Sequence, residues 1–251
     1  MGVVFGSTLR DVSSSSAPAP LRVGLVLLGS PPPGMPASEG GYLAMFGALL
    51  APHGIELTGI DATGGPITVA PEDFDGYVLT GSASSVYDDV PWIAPAEDFV
   101  RAVVQRGIPV AGICFGHQLL AQALGGKVEK AAVGWGMGVH AYDLELELDG
   151  GPTTMRLQAM HQDQVVALPE GARVWARSEH CPIAGFTVGD GVWTVQAHPE
   201  FTAPFAAGLV DRRRPLVGDE RADAAAATLD DPTDHELVAV WIADVLARKV
   251  Q

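Results

Sequence analysis

Residues Gly112-Ile113-Cys114-Phe115-Gly116-His117-Gln118 constrain this chain more tightly than any other stretch. The apolar run Ile108 to Ile113 reads as a short buried strand, and His117 to Leu124, stopped by Gly125-Gly126, reads as a helix. Cys114 therefore falls on the turn between them. A side chain on so tight a turn is thrust outward on a strained backbone, and its neighbours need almost no side chain, which Gly112 and Gly116 supply. The start of the following helix then favours negative charge at the sulfur, because its first N–H groups lack partners and its dipole ends there positively.

The segments around this turn alternate in the same way. Leu21 to Leu28, Ile55 to Ile60 and Phe74 to Thr80 are β-rich, while Tyr42 to Leu50 and Glu97 to Gln105 carry helical spacing of apolar residues. Strand and helix in strict succession predict an α/β fold with a largely parallel central sheet and helices on both faces. Sites in such sheets lie at the carboxyl ends of strands, where Gly81 and Cys114 both fall. Further on, Tyr142 to Leu148 alternates apolar and polar residues, which predicts a strand with one wet face. Met155 to Met160 and Ala172 to Ala176 are expected to pair with it as a small antiparallel layer. Asp143, Glu145 and Glu147 read as that wet face and not as metal ligands, since no histidine stands at ligand spacing. Val192 to Ala197 is a further strand. Phe205 to Arg214 and Asp234 to Arg248 read as closing helices, the second capped by Asp234.

Residues 1–20 end in a Ser, Ala and Pro tract without periodicity and are expected to form a flexible leader; residues 21–251 then form one domain. A chain of 251 residues with 47% hydrophobic and 18% charged residues buries a sizeable core without staples. Two cysteines make no disulfide framework, so Cys114 reads as a nucleophile and Cys181 as a buried thiol in a reducing compartment. A net charge of -15, from 15 basic against 30 acidic residues, argues against a nucleic-acid partner. The lone basic cluster, Arg212-Arg213-Arg214, reads as a solvated helix face. No apolar run is long enough for a membrane span and no secretory signal opens the chain, so the cytoplasm is the expected location.

A nucleophile needs a base and an orienting carboxylate. Gln196-Ala197-His198-Pro199-Glu200-Phe201 offers both just past a strand end, with His198 and Glu200 two residues apart. The pattern suits a Cys-His-Glu triad, in which His198 takes the thiol proton and later donates it to a leaving amine, while Glu200 fixes the imidazole tautomer. Gly-Ile-Cys-Phe-Gly-His-Gln followed by His-Pro-Glu resembles the class I (triad) glutamine amidotransferases. Leu79-Thr80-Gly81-Ser82, Ser84 to Asp89 and Met160 to Val165 match further blocks of that family in order, so the likeness spans nearly the whole chain. Nearest in character are stand-alone proteins similar to the amidotransferase half of GMP synthase.

The resemblance implies a flavodoxin-like fold and hydrolysis of the glutamine side-chain amide through a γ-glutamyl thioester on Cys114, with no metal or other cofactor. It implies an oxyanion hole from the backbone N–H of Phe115 and one from Gly81-Ser82. Donors so placed are each worth about 3 to 4 kcal/mol. It also implies that the amino-acid end of glutamine is held near Gln118, His161 and Asp163. Two departures from the family pattern stand out: Gly81-Ser82-Ala83 where two glycines and a proline are commoner, and Gly134-Trp135-Gly136 where a glutamate often follows the tryptophan. With no phosphate-binding loop in the chain, ammonia made at Cys114 would pass to a separate synthetase subunit. A stand-alone hydrolase of other γ-glutamyl amides or peptides and a non-catalytic binding module are the alternatives. His117 reads as pointing away from the nucleophile, and His180-Cys181 as packed and not metal-binding.

Overall fold

The computed structural model describes residues 19–35, 40–145 and 152–248. Residues 1–18 of the expected leader and 146–148 of the alternating run lie outside them. In chain order the elements are β1 (Leu21–Leu27), α1 (Gly41–Leu50), β2 (Ile55–Asp61), β3 (Gly76–Leu79), α2 (Ile93–Gln105), β4 (Val110–Ile113) and α3 (Phe115–Ala123). They continue with β5 (Lys127–Lys130), β6 (Gly136–Leu144), β7 (Thr154–His161), β8 (Asp163–Ala167), β9 (Ala172–Arg177), β10 (Gly185–Val188) and β11 (Val192–Val195). The chain closes with α4 (Ala203–Val217), α5 (Asp219–Ala226) and α6 (His235–Leu246).

One nine-stranded sheet runs β2-β1-β3-β4-β11-β10-β9-β6-β7. Its first five strands are mutually parallel. From β11 onward the pairing turns antiparallel, so β6, β7 and β9 extend the main sheet instead of lying on it as a separate layer. A second sheet, β5 with β8, stands beside it. β3, β4 and β11 are buried at every position, as expected of central parallel strands covered on both faces.

Two hydrophobic clusters lie on opposite faces. Phe46, Leu50, Val238 and Ile242 bring α1 and α6 onto one face; Phe99, Val100, Leu119 and Leu120 bring α2 and α3 onto the other. On α2 the apolar positions Ile93, Ala96, Phe99, Val100 and Val103 recur every three to four residues, so one stripe is buried. That helix starts four residues before Glu97, because Pro95 sits in its first turn, where a missing N–H costs nothing. α4 is capped by Thr202, whose hydroxyl accepts from the Phe205 N–H, and it runs through Pro215 beyond Arg214. Asp234 stands at the N-cap of α6, its carbonyl accepting from the Val238 N–H, but its side chain makes no capping bond. Its carboxylate accepts instead from the Arg156 N–H at 2.7 Å, and its own N–H donates to the Arg156 carbonyl, which pins the helix start to β7.

Candidate active site

Strand register brings the distant motifs together. Leu79 pairs with Gly112 and Val195 with Ile113, so β3, β4 and β11 end side by side, and the Cys114 N–H donates to the Val195 carbonyl at 2.9 Å. Whatever follows each strand must then meet at one edge: Gly81-Ser82 after β3, Cys114 after β4, Gln196 to Glu200 after β11. His198 is held there by its N–H, which donates to the Gln158 carbonyl of β7 at 2.8 Å.

Cys114 has φ 53° and is the one non-glycine residue with positive φ among the described residues. Such a conformation persists in a non-glycine residue only when the surroundings fix it. The two flanking glycines do so by contact. A Cβ on Gly112 would stand 2.6 Å from the Gly116 carbonyl oxygen, and one on Gly116 would stand 2.5 Å from the Leu79 carbonyl oxygen. The helix therefore sits directly against both strands, with Phe115 as its first residue. The Phe115 N–H is one of the orphan donors of a helix start.

His198 Nδ1 lies 2.8 Å from Glu200 Oε1, and both side chains are buried. This bond assigns the proton on Nδ1 and leaves Nε2 as the basic nitrogen of a ring that shares the Gly81 edge with Cys114. Phe201 stacks on the imidazole with ring centroids 3.8 Å apart and planes 9° from parallel. Burial alone would push the His198 pKa down, yet the facing Cys114 sulfur and the Glu200 carboxylate outweigh it and raise the pKa. The arrangement thus favours the protonated ring. Gly81 closes the other side: a Cβ there would come within 3.1 Å of His198 Cε1 and 3.7 Å of Cys114 Cβ.

Gln118, His161 and Asp163 also reach this edge, and a cleft of ≈ 230 Å³ is lined by all three together with Cys114, His198 and Ser82. Their polar groups are partly committed. The Gln118 amide nitrogen donates to the Asp163 carbonyl at 2.9 Å and to Gln196 Oε1 at 3.1 Å, so both its N–H groups serve the protein. The Asp163 carboxylate accepts from Ser85 Oγ at 2.5 Å and Tyr87 OH at 2.9 Å, which fastens the loop after β3 to the cleft wall. His161 is buried with Nδ1 against the Asp163 carbonyl, and burial, then His180 beside it, lowers its pKa to about 3. It is a neutral wall of the cleft.

Several residues around the sulfur escaped the sequence reading. Gln196 Nε2 donates to Cys114 Sγ at 3.7 Å. Tyr42 of α1 lines the cleft, its phenol pKa raised by burial and by the nearby Glu200 and Cys114. Gln196 stands in the His198 motif and parallel register predicts its position; Tyr42 has no signal beyond its place on an apolar helix face. The Arg212-Arg213-Arg214 cluster is not one solvated face. Arg214 pairs with Asp219 and Asp223, Arg212 is exposed, and Arg213 turns into the cleft with its guanidinium 4.8 Å from the Trp135 ring centre. His117 does point away from Cys114: it is fully buried, with Nδ1 2.8 Å from Thr194 Oγ1, and desolvation lowers its pKa to about 3. Cys181 is likewise buried, its thiol pushed up to about 12 by desolvation. A larger hollow of ≈ 840 Å³ lies behind Glu200, but neither Cys114 nor His198 lines it.

The sequence profile of "Glutamine amidotransferase class-I" matches residues 53–206. Gamma-glutamyl peptidase 3 of Arabidopsis thaliana is 32% identical over 170 residues, covering 63% of this chain and 68% of that one. A glutamine-hydrolyzing GMP synthase of Aeropyrum pernix is 34% identical over 170 residues, 66% of this chain but 31% of that longer protein. Among solved structures, a glutamine amidotransferase of Thermotoga maritima superposes with TM-score 0.70 at 20% identity over 90% of this chain and 96% of that one, a shared fold. The chain belongs to the class I glutamine amidotransferase family.

Proposed function

We propose that the protein hydrolyses γ-glutamyl amides through a γ-glutamyl thioester on Cys114. The observation that carries this reading is a cysteine on a strained strand-to-helix turn facing a histidine that is itself bonded to a buried carboxylate. The Cys114 thiolate attacks the γ-carbonyl carbon, and the negative charge that gathers on its oxygen is met by the Phe115 N–H and an N–H of Gly81 or Ser82. Collapse breaks the C–N bond as His198 gives its proton to the departing amine. Water then enters, His198 takes its proton, and the hydroxide attacks the thioester carbonyl. Glutamate leaves and Cys114 is regenerated with the proton back on His198. Glu200 holds the ring in the required tautomer throughout, and Gln196 steadies the sulfur.

With glutamine as the amide, the amine released is ammonia, and a separate synthetase subunit would consume it. A γ-glutamyl compound with a larger amine is the second reading. It is favoured by the kinship with gamma-glutamyl peptidase 3, of whose length this chain covers two thirds, against under one third of the GMP synthase. The test is glutamate release from L-glutamine and from γ-glutamylglycine, with Cys114→Ser as control. Release from either substrate that disappears in the variant supports the thioester route; release that survives in Cys114→Ser overturns it.

A further inference from the structure

The charges that line the cleft outside the Cys114–His198–Glu200 set are few and unequal. They are Lys130, Arg213 and Asp163, two cations against one carboxylate, in a chain whose net charge is -15. Among the described residues Lys130 and Arg213 take no ion-pair partner, while other arginines of the chain pair with carboxylates. The Asp163 carboxylate, by contrast, already accepts two O–H donors.

Their placement separates their tasks. Lys130 stands opposite Asp163 in the antiparallel pairing of β5 with β8, so this cation and this carboxylate share one end of the cleft. A γ-glutamyl group carries one ammonium and one carboxylate at its amino-acid end, and that pair matches the Asp163 and Lys130 pair. Arg213 is then in excess. It comes from another wall, on α4, and its guanidinium lies over the Trp135 ring at 4.8 Å from the centroid, a contact that holds the side chain against that wall. A planar guanidinium held at the cleft wall is suited to a carboxylate, which it can meet with two parallel N–H bonds.

Resting on the γ-glutamyl amide reading above, we infer that Arg213 receives a second carboxylate, carried by the amine half of the substrate. The preferred substrates are then γ-glutamyl amino acids or peptides, in preference to glutamine or γ-glutamyl alkylamides. Such a substrate bears one more negative charge than glutamine does, which matches the one cation left over.

The experiment compares kcat/KM for γ-glutamylglycine and γ-glutamylethylamide, which differ in size little and in charge by the one carboxylate. The full chain and its Arg213→Gln, Arg213→Lys and Lys130→Gln variants are assayed. The wild type is expected to favour γ-glutamylglycine by about tenfold, what a partly exposed charge-assisted bond is worth. Arg213→Gln should bring the ratio near one, and Arg213→Lys should keep part of it. Lys130→Gln should lower both substrates together and leave the ratio standing. A wild-type ratio near one, or a ratio untouched by Arg213→Gln, overturns the inference while leaving the γ-glutamyl reading intact. No glutamate from any γ-glutamyl compound overturns that reading and the inference with it.

Discussion

Replacing Gly116 by alanine tests whether the elbow depends on helix and strand touching. The added Cβ would lie 2.5 Å from the Leu79 carbonyl oxygen and 2.6 Å from Leu79 Cβ, against about 3.4 Å where ordinary contact begins. Leu79 belongs to a buried central strand and cannot yield, so the start of α3 must withdraw by about 0.9 Å. The same movement stretches the Gly116 N–H bond to the Thr80 carbonyl, now 3.1 Å, beyond hydrogen-bonding range. Overpacking costs about 1–3 kcal/mol and an unmet buried backbone group about 1–3 kcal/mol more, so a loss of about 2–6 kcal/mol is expected. The shift also displaces Cys114 and the Phe115 N–H relative to Gly81, and a displacement near 1 Å at a reacting group costs about a hundredfold in rate. Urea unfolding and kcat/KM on the folded variant measure the two effects. Gly47→Ala is the control, because a Cβ there meets nothing within 4 Å and should stabilise α1 by about 0.5–1 kcal/mol with activity unchanged. Wild-type stability and rate in Gly116→Ala would refute the close-contact account.

Other perturbations address the electrostatics. Glu200→Gln removes a charge that raises the His198 pKa, so the alkaline limb of the kcat/KM profile should move to lower pH and the rate should fall by about 10²–10⁴-fold; an unmoved limb would exclude Glu200 as the partner. Asp163→Ala frees Ser85 and Tyr87 and should raise KM by about tenfold with a smaller change in kcat, measured by steady-state kinetics; an unchanged KM would mean the loop needs no such anchor. His117 and His161 stay neutral in the folded chain down to about pH 3 but take protons near 6.5 when unfolded. Their depressed pKa values therefore contribute stability that is full above about pH 6.5 and is lost as pH falls toward 3. His161→Asn should flatten that slope by one proton in a pH series of unfolding midpoints; an identical slope would contradict it.

What the sequence disclosed and what it hid follow from the range of the interactions. The elbow is local: apolar strand, two glycines and helix lie within one stretch, and the structure puts Cys114 where that pattern predicts. The ends of β3, β4 and β11 are legible too, because buried parallel strands are continuous apolar runs. β5 and β8 escape a local reading, since Lys127-Val128-Glu129-Lys130 buries only its valine and owes its strand to a partner distant in sequence, Asp163–Ala167. β10 is four residues long, and α5, rich in Ala and Asp, carries no apolar stripe to announce it. Asp234 has the residue type of a helix cap, yet its carboxylate is drawn to β7, a long-range contact that no local pattern shows. The site divides in the same way. Cys114, His198 and Glu200 announce themselves by motif. Tyr42, Lys130 and Arg213 enter the cleft only because α1, β5 and α4 are folded around it.

The most direct test of the central claim is interception of the thioester by hydroxylamine. If every γ-glutamyl donor passes through one acyl group on Cys114, the ratio of γ-glutamyl hydroxamate to glutamate at a fixed hydroxylamine concentration must be the same for glutamine, γ-glutamylglycine and γ-glutamylethylamide. It must vanish in Cys114→Ser. A ratio that changes with the donor, or hydroxamate formed without the cysteine, would contradict the mechanism.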